Sequence, residues 1–209
     1  SFELFRRWVV SDKKILELEK ATKQAELQQL KKQINPHFLF NMLNNANILV
    51  KDAPDEASQI LEKLDNLLRY QLNDSTRREV FLTADIQFLT SFLELEKVRR
   101  DHFEYTIFQE GNMENICIPP LLFIPFVENA VKHNLDSDNL SYVHLYFSVH
   151  NKQLTFRCEN SKPRVPVKRE GGIGLANVKR RLDLLYESRY TLQIEDKETT
   201  YNVNLHLNL

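Results

Sequence analysis

A chain of 209 residues, 42% hydrophobic and 27% charged, has the composition of a soluble globular protein with one or two cored domains, which excludes disordered and collagen-like classes. Its formal net charge of -1 argues against a direct nucleic-acid binder, because affinity for a phosphate backbone rests on a basic excess. No apolar run is long enough to span a membrane and no signal-peptide core is present. Cys117 and Cys158 stand far apart without a CxxC partner, so neither a zinc site nor a disulfide framework is signalled and a reducing compartment is expected. The chain opens on Ser1 rather than Met, as a fragment or processed form would.

The front half, to about residue 100, has almost no glycine, few prolines and long stretches of Leu, Glu, Lys, Gln and Asn, which favour helix. Over 12–34 charged residues dominate, while Leu27, Leu30, Ile34 and Phe38 recur at steps of three and four, a modest coiled-coil signal. Further helices are expected at 55–74, with Ile60, Leu64, Leu67 and Leu68 inward. Another is expected at 83–101, with Ile86, Leu89 and Leu93 inward and Glu94, Glu96 and Lys97 on the wet side. After residue 101 the chain turns to short runs rich in aromatic and β-branched residues: FEYTIF, YVHLYFSV, QLTFRC, YTLQI and YNVNLHLNL. These read as strands. Helical segments at about 119–135 and 174–187 lie between them. The expected fold is therefore α+β: a helical region over 1–100, then an α/β sandwich over 101–209 with helices on one face of a mixed sheet.

Three stretches carry chemistry. In QINPHFLFN, residues 33–41, proline cannot continue a helix, so Asn35 is a good N-cap and Pro36 a good first residue. His37 then falls in a first turn, near the positive end of the helix dipole, where a phosphoryl group is tolerated. A plain helix start reads equally well from these residues alone. In IPPLLFIPFVENAVKHN, residues 118–134, a helical wheel puts Glu128, Asn129, Lys132 and His133 on one side and Phe123, Ile124, Val127, Ala130 and Val131 on the other. Carboxylate and amide oxygens suit Mg²⁺, and Lys132 suits a phosphate. The alternative is a solvated face with Glu128 paired to Lys132. In REGGIGLANVKRRLDLLY, residues 169–186, three of the four glycines, Gly171, Gly172 and Gly174, gather ahead of a helical pattern. That allows close approach of backbone to phosphate, or merely a flexible loop and cap. It is neither a GxGxxG fingerprint nor a P-loop.

Taken in order, the blocks resemble the sensor histidine kinases. QINPHFLFNMLN is similar to the H-box of the LytS/YehU-type family, LRY at 68–70 and FLELEKVR to its helical domain, PPLLFIPFVENAVKHN to its N-box and GGIGLANVKRRLDLLY to its G-box. The resemblance covers about residues 27–209. It implies a helical dimerisation and phosphoacceptor region joined to a Bergerat-type (GHKL) ATP-binding sandwich like that of gyrase. It implies that His37 accepts the γ-phosphoryl of ATP, that Asn41 one turn on steadies the site, and that Asn129 holds Mg²⁺ beside Glu128, a water-positioning residue or base. Lys132 and His133 lie on the same cofactor-binding face, and Gly172, Gly174 and Asn177 match the lid over the phosphates. The implied partners are a second copy of the chain and a response regulator receiver domain, which takes the phosphoryl group on an aspartate. The implied place is the cytoplasmic side of an inner-membrane sensor, reached only through a segment upstream of this chain.

One stretch departs from the pattern. Where the superfamily reads adenine with an aspartate in a DxGxG box, this chain has CENSKP, residues 158–163. Asn160 stands in place of the aspartate and both glycines are absent, so the carboxylate is replaced by a neutral amide that still accepts a hydrogen bond. Two other readings follow: a non-catalytic dimeric signalling module with weak or no ATP binding, and a free-standing gyrase-like ATPase that needs no His37.

Overall fold

The computed structural model describes residues 36–134, 139–163 and 173–209. The expected stripe at Leu27, Leu30 and Ile34, the Asn35 cap, and Gly171 and Gly172 of the glycine cluster lie outside the described residues.

Helix α1 (Pro36–Leu49) begins at the proline, and α2 (Pro54–Arg69) likewise opens on one, each spending a residue without an N–H where no intrahelical acceptor exists. Helix α1 buries Phe38, Met42 and Ala46; α2 buries Ala57, Ile60, Leu64 and Leu67. The 55–74 expectation holds, except that the last turn, Tyr70–Asp74, widens to π. Helix α3 (Leu82–Arg99) follows a two-residue strand, β1 (Val80–Phe81).

Helix α3 corrects the expected wet side. Glu96 is buried and its carboxylate is held by Arg99 at 2.6 Å. Glu94, half-buried, pairs with Lys63 at 3.0 Å. The reason is that α3 is covered on more than one side: it packs on α2 and also on strand β2 (Phe103–Gly111) and on helix α4 (Ile124–His133). Lys97 is exposed as expected, but a helix covered on several sides leaves only a narrow wet strip for periodicity to find.

The rest is a five-stranded mixed sheet. Strand β2 pairs in parallel with β4 (Ser141–His150), and β5 (Gln153–Ser161), β7 (Thr200–Asn208) and β6 (Tyr190–Asp196) follow antiparallel, giving the order β2-β4-β5-β7-β6. All five expected strands form. Alternation assigns the faces: Val143, Leu145 and Phe147, Leu154, Phe156 and Cys158, and Val203, Leu205 and Leu207 are buried beneath the helices. Tyr142, His144, Arg157 and Glu159 turn outward.

The short strand β3 (Cys117–Ile118) pairs with β1, a link across residue 100 that two-residue strands are too short to announce. Helix α4 starts at Ile124 rather than 119. Pro119, Pro120 and Leu121, whose φ is 57°, keep the chain out of αR until then. Helix α5 (Ile173–Tyr186) packs against α4, completing one helical layer on one face of the sheet. No described helix is long and apolar enough to cross a membrane.

Candidate functional site

Helix α4 presents the expected division. Ile124, Phe126, Val127, Ala130 and Val131 are buried, while Lys132 is exposed and Glu128, Asn129 and His133 are half-buried. Phe126 meets Phe156 of the sheet floor at 5.8 Å between ring centroids. Packing of the apolar face therefore decides where the polar face points.

Glu128 is not the solvated partner of Lys132 that the alternative expects. Burial lifts its carboxyl to about 7, and the Glu96 carboxylate, brought in by α3, adds to the rise. A carboxyl titrating near neutrality suits a proton acceptor. Because the folded chain binds this proton more tightly than the unfolded chain, whose carboxyl titrates near 4.5, stability falls as pH rises from about 4.5 to about 7. Glu128→Gln removes that penalty. Urea denaturation is expected to find the variant more stable than wild type by about 1–2 kcal/mol at pH 8, and no different at pH 4. Equal stabilities at both pH values would place the carboxyl in water.

Asn160 lies on the inward face of β5, paired in register with Val143 and Tyr201, and is 1% exposed. Its Nδ2 donates to the Ser161 carbonyl at 2.8 Å. Asn177 is half-buried in the second turn of α5, and Gly174 is the second residue of that helix. Glu128, Asn129, Lys132 and His133 thus share the polar face of α4, Gly174 and Asn177 the first turns of α5, which packs against α4, and Asn160 the inward face of β5. His37 and Asn41 stand apart on α1, which packs on α2 and α3; His37 is in its first turn and Asn41 one turn on. Gly172 lies outside the described residues.

The donor chemistry fits a magnesium nucleotide: neutral amide and carboxyl oxygens on α4, a lysine beside them, and a helix N-terminus behind a glycine. Among the described residues no group of three or more His, Cys, Asp or Glu is gathered as a metal site. A shallow depression lined by Thr106, His144, Tyr146 and Arg157 lies on the opposite, outward face of the sheet and shares none of these residues.

Sequence reading missed Asp85, Glu96 and Arg181, all buried. A signal existed. Asp85 falls between Leu82, Ile86 and Leu89, and Arg181 between Val178, Leu182 and Leu185, at positions where the helical spacing calls for an apolar side chain.

Comparison with known proteins matches residues 25–103 to the family described as His_kinase, histidine kinase. Sensor protein LytS of Staphylococcus haemolyticus is 30% identical over 203 residues, 90% of this chain and 35% of that protein. Sensor histidine kinase YpdA of Escherichia coli is 32% identical over 119 residues, 57% of this chain and 21% of that protein. Among solved structures, the histidine kinase domain of the blue-light activated histidine kinase EL346 of Erythrobacter litoralis aligns with a TM-score of 0.49 and 16% identity, over 90% of this chain and 93% of that one. The chain spans about a third of the length of the LytS protein it matches.

Proposed function

We propose that this chain, which carries a histidine kinase domain of the LytS/YpdA family, is the core of a two-component sensor kinase that phosphorylates itself on His37 from ATP and passes the phosphoryl group to an aspartate of a receiver domain. The observation that carries this reading is the polar face of α4, where Asn129 stands half-buried beside Glu128, whose carboxyl burial lifts to about 7.

In this reading Asn160 accepts from the adenine amino group, Lys132 and the start of α5, with Asn177, meet phosphate charge, and Asn129 would hold a magnesium ion, with Glu128 beside it. When bound, that ion supplies charge neutralisation on the phosphates. A neutral ring nitrogen of His37 attacks the γ-phosphorus; an N–P bond forms as the bond to the β-bridging oxygen breaks and ADP leaves. The proton on the other ring nitrogen passes to a base, for which Glu128, held near neutrality, is the candidate, and Asn41 steadies the imidazole.

Residues 1–100 act in this reading as the dimerisation and phosphoacceptor domain and 101–209 as the ATP-binding domain. Phe40, 70% exposed, Leu43 and Ile48 of α1 and Leu61 of α2 leave an apolar face uncovered, which suits pairing with a second copy of the helical half. The core works on the cytoplasmic side of an inner-membrane sensor.

The test is incorporation of label from γ-labelled Mg-ATP. Wild type takes up acid-labile, base-stable label, and His37→Ala takes up none while still binding ATP by direct titration. The neutral Asn160 favours the second reading, a signalling module without catalysis; absence of both label and ATP binding in wild type establishes that reading instead. Label-free turnover that survives His37→Ala identifies a free-standing ATPase.

A further inference from the structure

Outside the site just described, Asp85 and Arg181, from two helices, grip the backbone of one residue, and Tyr70 from a third element holds Asp85. Leu121 has a φ of 57°, a left-handed conformation that a branched side chain holds only under constraint. The constraint is visible. Its N–H donates to Asp85 Oδ1 at 3.0 Å, and its carbonyl accepts from Arg181 Nη1 at 2.6 Å. Arg181 Nη2 also donates to the Pro120 carbonyl, so the planar guanidinium grips two successive carbonyls as only a fork of donors can.

Each partner belongs to a part that matters. Asp85, fully buried in the first turn of α3, also receives the Tyr70 hydroxyl at 2.5 Å. Tyr70 opens the π turn where α2 ends and stacks on Phe88 with centroids 4.7 Å apart. Arg181 is on α5. Leu121 stands three residues ahead of α4, the helix of Glu128 and Asn129. At the far end of α4, Arg100, the residue after α3, donates to Asn134 Oδ1 at 2.9 Å, to the Val131 and Asn134 carbonyls, and to Ser141 Oγ at 2.8 Å. Helix α3 and its end therefore hold α4 at both ends, with Glu96 facing Glu128 between them.

We propose that Tyr70, Asp85 and Arg181 are positioning residues that clamp Leu121, so that the placement of α4, and with it Asn129, follows the end of α2 in the helical half. A shift of α2 reaches Asp85 through the Tyr70 hydroxyl. Asp85 passes it to the Leu121 N–H, and the backbone carries it into the first turn of α4. Its consequence for phosphoryl transfer rests on the kinase reading above; the clamp itself does not.

The experiment is hydrogen exchange read by mass spectrometry on the full chain, with Tyr70→Phe, which removes one hydroxyl and keeps the ring on Phe88, and Arg181→Lys, which keeps the charge and loses the fork. Both variants are expected to exchange at least about fivefold faster across 119–134 while β4 and β5 stay within about twofold of wild type. In Tyr70→Phe the autophosphorylation rate at saturating ATP falls about tenfold with ATP affinity within about twofold, because the sheet floor still binds the base while Asn129 is misplaced. Exchange across 119–134 that is unchanged, or raised no more than in β4 and β5, overturns the clamp. Exchange that responds locally in a chain whose wild type takes up no label keeps the clamp and removes the kinase reading.

Discussion

Asn129→Ala is expected to lower label incorporation from Mg-ATP at least about a hundredfold, the scale of losing one preorganised electrostatic group at a phosphoryl or acyl transfer site. The residue is half-buried on the polar face of α4, next to Glu128 and three residues before the exposed Lys132. Its amide oxygen is a hard, neutral donor of the kind Mg²⁺ takes, and the apolar face beneath it, Phe126, Val127, Ala130 and Val131, stays intact in the variant. The melting temperature should therefore stay within about 2 °C of wild type, as for a surface substitution, so that the loss reads as chemistry and not unfolding. Asn129→Asp separates two roles: a carboxylate still ligates a cation, so partial activity at raised Mg²⁺ supports the ligand role. Full activity in Asn129→Ala would sink it.

The second large effect is on stability. Phe156 is fully buried at the centre of the sheet floor, with ring centroids 4.5 Å from Phe123, 5.1 Å from Phe147 and 5.8 Å from Phe126. This one side chain joins β4, β5, the turn before α4 and α4 itself. Phe156→Ala is expected to cost about 3–5 kcal/mol, the lost transfer energy plus the cavity that a sheet and a helical layer cannot close. Against a total stability of about 5–15 kcal/mol that is a large share, and it lowers the melting temperature by roughly 10 °C in a chain of this size. Phe108 is the control. It lies on the outward face, 58% exposed, with its ring on Tyr146 at 5.4 Å, and Phe108→Ala should cost no more than about 1 kcal/mol, the worth of a cross-strand pair. Similar losses for the two variants, measured by urea denaturation, would mean that the helices do not cover the inward face.

The two experiments address different links. The first asks whether the polar face of α4 does chemistry; the second, whether the apolar floor fixes where that face points. They meet in the loop before α4, where Phe123 joins the aromatic cluster and Leu121 is gripped by Asp85 and Arg181. A phosphoryl-transfer site tolerates little positional error, and the structure ties the asparagine-bearing helix to both the sheet and the helical half.

Much of this was legible in the chain itself. Alternation marked all five long strands, because a strand with one buried face writes its burial directly into every second residue. The proline at 36 marked the start of α1, and the wheel of residues 118–134 separated the faces of α4. Local rules suffice where an element has one wet side and one dry side. They failed where tertiary structure covers both: Glu96 looked wet and is buried, Asp85 and Arg181 drew no notice and grip a backbone bend, and of the two readings open for Glu128 the solvated i,i+4 pair gives way to a carboxyl lifted by burial and by Glu96. These are long-range facts: helical spacing marks Asp85 and Arg181 as facing inward, but their partner, Leu121, lies 60 positions from Arg181, beyond the window of one helix. The sequence alone determined the long strands, the helices between them and the division of faces on α4; only the tertiary structure decided which charges leave water, because desolvation depends on what packs against a side chain and not on its neighbours in the chain.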